Sequence, residues 1–215
     1  MLFRSTPTPL RTLRGRYRKL VLPYMAAVLL AIACATIARQ WMTHDSIPGA
    51  PSLSQLLAHA LLFQSVFGYD SLSAGVWYVA IDFQLFALLL ALLWLARRLG
   101  GKSAGPASTS ATAFGVALVA AMAAASLFYF NRDGSWDNWA LYFFGAYGLG
   151  ALTWWASARK EALLWLMLLA ALVTVALQVD YRSRIVFALL TALALGLSRF
   201  FGTLDTHPES RVLAY

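Results

Sequence analysis

The chain has 215 residues, of which 60% are apolar and only 12% charged, and its formal net charge is +8. The apolar residues form blocks of about twenty rather than an amphipathic stripe, which excludes a soluble globular domain and indicates a polytopic helical membrane protein. The sequence lacks the alternation over about ten residues that a membrane β-barrel needs. The basic residues lie at the ends of apolar blocks and not among interleaved aromatics, so they indicate membrane topology and no nucleic-acid partner.

Residues 1–19 form a basic arm without acidic residues, which we expect to stay in the cytoplasm. One interpretation of this arm is that it fixes topology and contacts anionic lipid. The other is that its guanidinium groups bind the phosphates of a cytoplasmic donor such as a coenzyme A thioester, because the planar fork matches phosphate oxygens. The cations of the arm are Arg4, Arg11, Arg14, Arg16, Arg18 and Lys19.

The first apolar block, 20–38, predicts a membrane span with Pro23 in its first turn, where the missing N–H of proline costs nothing. A signal peptide is the alternative, because small residues near Cys34 resemble a cleavage site. The single cysteine excludes an internal disulfide. Exposed small residues on this helix, such as Ala26 and Ala27, are suited to close packing against a partner.

A turn-rich loop at 39–52 precedes a predicted short helix at 53–67, with Ser52 as its cap. Fifteen residues are too few to span a bilayer, so we expect an interfacial or re-entrant helix. His59 lies within it and has two interpretations. It acts as a base near neutral pH, or its ring nitrogens cap a partner helix.

The next block predicts a span at 76–96 that contains one acid, Asp82. A carboxylate inside a membrane span costs about 2 to 3 kcal/mol unless it is partnered or protonated. Asp82 therefore either orients a substrate or catalytic group, or is a structural acid paired with a neighbouring helix, for example through an arginine. Tyr78 lies one turn away on the same face, close enough to hydrogen-bond to Asp82.

Four further spans are predicted in the second half, at 112–130, 139–156, 162–179 and 185–201, followed by a tail at 202–215. Gly145, Gly148 and Gly150 are expected to permit close helix packing. The fold class is thus all-α, a polytopic transmembrane bundle of about six spans with one short helix. Both termini are expected in the cytoplasm, because most of the 17 basic residues then lie on that side.

Known metal and nucleotide motifs are missing from the sequence. There is no HExxH, no CxxC, no Gly-rich phosphate loop and no GxSxG. We therefore expect no bound metal and no tightly bound cofactor.

Four segments, in order along the chain, resemble motifs of the acyltransferase-3 family of membrane O-acyltransferases. The first is RYRKLVLPY at 16–24, with a basic pair, an apolar pair and a proline, and the second is WYVAIDFQLF at 77–86, with Asp82 where the family has Glu. The others are YFFGAYGLGAL at 142–152 and ESRVLAY at 209–215.

The resemblance implies transfer of an acyl group, commonly acetyl, from cytoplasmic acyl-CoA to a hydroxyl of a cell-envelope carbohydrate, in the bacterial inner membrane. The basic pair would be Arg16 and Lys19, with Arg14 and Arg18 beside it, while Trp77 and Asp82 occupy the family's Trp and Glu positions. Lysine keeps the charge where the family has arginine but loses the planar fork. Acyl-CoA would be a substrate, and the bilayer and the carbohydrate acceptor would be the partners.

The resemblance also has a gap, because family members carry their catalytic histidine on a first helix that has no counterpart here. We therefore expect a trimmed, split or degenerate member, with His59 as the candidate substitute and Tyr78 beside the acid. Two other classes stay open: a non-catalytic membrane module completed by a second copy or a partner chain, and a transporter or flippase component. A transporter would need more intramembrane charges or broken helices than the sequence contains.

Overall fold

A computed structural model of the chain describes residues 8–44, 47–73, 75–99 and 109–203. The start of the predicted arm, most of the loop after the 76–96 span and nearly all of the predicted tail, with its ESRVLAY segment, lie outside these residues. Within the described ranges all regular structure is helical, which confirms the all-α class. The α-helices are α1 Pro9–Trp41, α2 Leu53–Ala60, α3 Val76–Leu99, α4 Thr109–Phe128, α5 Ala140–Ser157, α6 Ala162–Val179 and α7 Ser183–Phe200.

Five helical segments are long and apolar enough to cross a membrane, and the chain is a membrane protein on this ground. They are α1, α3, α6, α7 and the segment Ala113–Arg132, which contains most of α4, and their mean hydropathy lies between 1.5 and 2.4. Helix α5 has the length of a span but carries aromatic residues and three glycines, which lower its hydropathy.

Helix α1 is longer than the sequence suggests. It runs unbroken for 33 residues from Pro9 and so includes the described part of the basic arm. The prediction that Pro23 lies in the first turn is wrong: Pro9 occupies that position and Pro23 lies inside the helix. The residues between the two prolines are mostly good helix formers, so the helix continues through them although the Lys19 carbonyl, four residues before Pro23, loses its N–H partner.

Helix α2 begins as predicted and ends early. The Ser52 hydroxyl accepts a hydrogen bond from the Gln55 N–H at 3.1 Å, which confirms the predicted cap. The predicted end at residue 67 is wrong, because the helix stops at Ala60 and Leu62 adopts a left-handed φ of 61°. Leu62 is fully buried and its carbonyl accepts a hydrogen bond from Gln84 Nε2 at 2.9 Å, so tertiary contacts hold this unfavourable conformation.

The chain forms two compact units, one from Met1–Trp94 with Asn138–Ala140 and one from Leu95–Asp137 with Leu141–Tyr215. The first contains α1, α2 and nearly all of α3. Its core joins residues of α1, of the stretch between α2 and α3, and of α3, namely Tyr24, Val28, Leu62, Leu72, Val76, Ala80 and Phe83. This core fixes the α1 surface against α3, where the candidate site lies.

The second unit packs α4, α6 and α7 with most of α5 through small residues. A Cβ on Gly145 would lie 2.8 Å from the Leu127 side chain, and one on Gly148 would lie 3.2 Å from Ala123. These contacts confirm the predicted close packing at Gly145 and Gly148. Gly150 differs, since a Cβ there would meet no heavy atom within 4 Å.

A buried arginine joins the ends of two helices in the second unit. The Arg182 guanidinium donates to the Leu127 carbonyl at 2.9 Å and to the Asn131 side-chain oxygen, and its Nε lies 3.4 Å from an Asp180 carboxylate oxygen. Asn131 in turn donates to the Tyr142 carbonyl at 2.7 Å. Carbonyls near the end of α4, which lack helical N–H partners, are thereby satisfied from the start of α7.

Candidate functional site

The centre of the candidate site is an ion pair between Arg16 of α1 and Asp82 of α3. Arg16 Nη2 donates to Asp82 Oδ2 at 2.6 Å, and the two side chains are 36% and 43% exposed. The guanidinium also lies over the Phe86 ring, 4.5 Å from its centroid. The structure thus brings together the basic residue predicted to bind a donor and the acid predicted to act in catalysis.

This contact differs from what the predicted topology implies. That topology places the arm on the cytoplasmic side of the membrane. It places Asp82 near the other side, where the span at 76–96 begins, so it does not bring Arg16 and Asp82 together. The pairing is the one that the structural interpretation of Asp82 anticipated. Its physical reason is that a half-buried carboxylate is stabilised by a charge-assisted hydrogen bond from a guanidinium.

One nitrogen of the Arg16 guanidinium, Nε, is buried without an acceptor among the described residues. A buried donor without an acceptor costs about 1 to 3 kcal/mol, so an incoming anionic oxygen would be favoured there. In the same guanidinium, Nη2 is therefore bound to Asp82 while Nε is unpaired.

Neighbouring aromatic residues position Arg16. The Tyr17 hydroxyl donates to the Ala60 carbonyl at 2.8 Å, and its ring packs on Phe83 with the centroids 5.7 Å apart. These contacts attach the turn of α1 that carries Arg16 to both α2 and α3. Tyr17 and Phe86 were not predicted as site residues, although both lie inside the segments 16–24 and 77–86 that resemble family motifs.

The other predicted donor-binding cations are exposed. Arg14 and Arg18 are four residues apart and lie on the α1 face opposite Arg16, whereas Lys19 is one turn from Arg16 on a similar face. Only the Arg16 and Lys19 side of α1 is therefore directed toward the acid.

Tyr78 and Trp77 lie at the start of α3. The Tyr78 side chain is 63% exposed and its ring stacks on Trp77 with the centroids 3.9 Å apart. Among the residues that the structure describes, the Tyr78 hydroxyl makes no hydrogen bond to Asp82, although the two residues lie one turn apart.

His59 is fully buried and both of its ring nitrogens contact backbone. Nδ1 lies 2.8 Å from the Gln55 carbonyl, to which only an N–H can donate, and Nε2 accepts the Leu72 N–H at 3.3 Å. The tautomer is therefore fixed, and the ring stacks near Tyr24 with the centroids 6.4 Å apart. Base catalysis by His59 would require it to release Leu72, and the structure gives no contact between His59 and Asp82 in the described residues.

Burial makes the His59 contacts sensitive to pH. Desolvation lowers the pKa of His59 below its ordinary value of 6.5. The unfolded chain therefore takes up a proton more readily than the folded chain. The contribution of His59 to the free energy of unfolding is complete above about pH 6.5 and is lost as the pH drops through the lowered pKa.

We expect the thermal unfolding temperature in detergent to fall between pH 7 and pH 5. His59→Gln should flatten this pH dependence, whereas His44→Gln, which alters an exposed histidine, should leave it intact. An unchanged slope in His59→Gln would show that the pH dependence does not come from His59.

Two polar side chains in the same core were not anticipated as site residues. The Tyr24 hydroxyl lies beside the Gln64 amide, yet neither side chain makes a hydrogen bond of acceptable geometry. Gln64 is fully buried. The sequence offered one signal for Gln64, because it is a polar residue inside the predicted apolar helix at 53–67. A buried amide without hydrogen-bond partners is rare in proteins.

The described residues give no evidence of a metal at this site, and comparison with known proteins assigns it no function. The described residues contain no group of three or more His, Cys, Asp or Glu side chains that could hold a metal ion. The comparisons found no match, whether among protein-family models, curated proteins or solved structures.

Proposed function

We propose that the chain is an integral membrane O-acyltransferase, or the central part of one, that transfers an acyl group from acyl-CoA to a hydroxyl of an envelope carbohydrate. The observation that carries the proposal is the 2.6 Å contact between Arg16 and Asp82. These residues come from two segments, far apart in sequence, that each resemble a motif of one acyltransferase family. Their meeting in space supports a common site.

In this proposal Arg16 and Lys19 bind phosphate oxygens of the donor, with the spare Arg16 Nε–H as one hydrogen-bond donor. Asp82 orients the guanidinium and the acceptor hydroxyl. The hydroxyl oxygen attacks the thioester carbonyl, the C–S bond breaks, and the hydroxyl proton ends on the coenzyme A thiolate, with acid–base help from a side chain at the site. Trp77 and Tyr78 form an aromatic wall at the start of α3.

The membrane arrangement belongs to the same proposal. About six spans, with α5 counted among them, would place the protein in the inner membrane of a bacterium with the basic arm in the cytoplasm, so that the contact of Arg16 with Asp82 lies on that side. The excess of arginine and lysine on one side supports this orientation.

Membranes containing the chain are expected to transfer label from acetyl-CoA to crude envelope glycan. Arg16→Lys should raise the apparent KM for acetyl-CoA about fivefold, because the ammonium lacks the planar fork. Arg11→Lys, on the exposed part of the arm, is the matched control and should leave KM unchanged. Equal KM values for the two variants would remove Arg16 from the donor site, and no transfer by correctly folded protein would refute the proposal.

A non-catalytic membrane module is the second candidate. It is favoured by the engagement of both His59 nitrogens, which leaves His59 unavailable as a base in this conformation. The exposed α1 surface with Ala26, Ala27 and Leu30 would then pack against a second copy or a partner chain. Absence of acyl transfer in the assay above would favour this candidate.

A further inference from the structure

Helices α5 and α7 enclose an apolar groove in the second unit. Its volume is about 150 Å³, and its apolar wall includes Gly150 and Thr153 of α5 with Ala192 and Leu195 of α7. The floor is tight, because a Cβ on Gly196 would lie 2.7 Å from the Thr153 side chain. The mouth is open at Gly150, where a Cβ would meet nothing within 4 Å. This shape suits part of one extended hydrocarbon chain.

Arg199 closes one end of the groove. Its guanidinium lies 3.3 Å from the centroid of the Trp154 ring. Nη1 donates to the Trp154 carbonyl at 2.7 Å and contacts the Ser157 hydroxyl at 3.4 Å. Both hydrogen bonds use the same nitrogen, so the Nη2 and Nε donors of Arg199 are left to bind an anion.

The position of Arg199 identifies the kind of anion. Arg199 lies in the last turn of α7, which is long and apolar enough to cross a membrane, so its guanidinium lies at the level of lipid headgroups. Its contact with Ser157 places it near the connector that carries the exposed Arg159 and Lys160, with Glu161 as the one acid there. Basic pockets between spanning helices bind anionic lipid headgroups.

We propose that this groove binds an anionic phospholipid, with one acyl chain between α5 and α7 and the phosphate on Arg199. The apolar wall selects a hydrocarbon chain, and the cation at its end selects a negative headgroup. The site is separate from the Arg16–Asp82 site, and the proposal does not depend on acyl transfer.

The test is a lipid titration of the purified full chain in detergent, followed by native mass spectrometry. The probes are phosphatidylglycerol and phosphatidylcholine with identical acyl chains. We expect the first bound phosphatidylglycerol to have about fivefold lower apparent Kd than phosphatidylcholine, as for a hydrogen-bonded charge at a partly exposed site. Arg199→Gln should abolish this difference, and Arg199→Lys should retain part of it. Equal binding of the two lipids by the unaltered chain would overturn the proposal.

Matched controls separate the groove from general surface charge. Arg159→Gln removes an equal charge from the same end and should keep the preference; an equal loss would attribute it to diffuse electrostatics and overturn the proposal. Gly150→Phe fills the open mouth without steric conflict and should raise the apparent Kd of both lipids. Leu190→Phe, an exposed α7 position outside the groove, should not. Unchanged binding in Gly150→Phe would show that the acyl chain lies elsewhere.

Discussion

Exchanging the charges of the central pair, in the double variant Arg16→Asp/Asp82→Arg, is expected to restore folding and to abolish acyl transfer. Each single change places two like charges at a 2.6 Å contact and should destabilise the protein by about 1 to 2 kcal/mol, a discounted value because both side chains are partly exposed. The double variant restores the attraction, so its unfolding temperature should return near that of the unaltered chain. Transfer should fall at least 100-fold, because the proposed phosphate-binding cation and the proposed orienting acid have changed places.

This experiment distinguishes the two interpretations of Asp82. If the double variant keeps its transfer activity, Asp82 is a structural acid and the proposed roles are wrong. If the double variant is as unstable as the single variants, the ion pair does not contribute to folding. Asp70→Asn serves as the control for removal of an exposed acid from the same unit, and it should change neither stability nor transfer.

Replacing Arg182 should produce the largest loss of stability in the second unit. Only 9% of its side chain is exposed, and it bonds the Leu127 carbonyl, Asn131 and Asp180. Arg182→Gln cannot reach these partners together and leaves buried acceptors unsatisfied, so we expect a loss of about 3 kcal/mol. Burial lowers the pKa of the Arg182 guanidinium, chiefly through desolvation, but arginine stays protonated at any working pH.

Thermal unfolding in detergent would measure this loss. Arg182→Lys should rescue little, because an ammonium cannot span three acceptors that lie around a planar fork. Arg132→Gln is the control: it removes an exposed arginine near the same helix end, whose contact with the Phe128 carbonyl is long at 3.4 Å, and should cost under about 0.5 kcal/mol. A similar loss in both variants would show that net charge, and not the Arg182 contacts, stabilises this end.

The helical fold follows from local sequence because each apolar block is long enough to form its own backbone hydrogen bonds. One error concerns local helix propensity and the other a tertiary contact. Pro23 was expected at a helix start, yet the helix extends back to Pro9. The end of α2 depends on the left-handed Leu62, held by Gln84, which lies 22 residues further along the chain. The contact between Leu62 and Gln84 is not visible in the spacing of residues along the sequence.

The candidate site was predictable only in part. Asp82 is visible in the sequence because a lone acid in an apolar block is costly, and an arginine partner belonged to one of its two interpretations. The identity of that partner was not predictable, since Arg16 is one of six cations in the arm and 66 residues separate it from Asp82. The supporting contacts of Tyr17 and Phe86 depend on how α1 rotates against α3, which helical periodicity alone does not determine.

The length of α1 affects how the central pair responds to its surroundings. At a rise of 1.5 Å per residue its 33 residues measure about 50 Å, against about 30 Å of hydrocarbon in a bilayer. Its apolar run begins after Lys19, so Arg16 lies on the part that exceeds the hydrocarbon. There, dissolved ions screen charges over about 8 Å at physiological salt. The Arg16–Asp82 attraction should therefore weaken as ionic strength rises, more than that of an ion pair at the bilayer centre would.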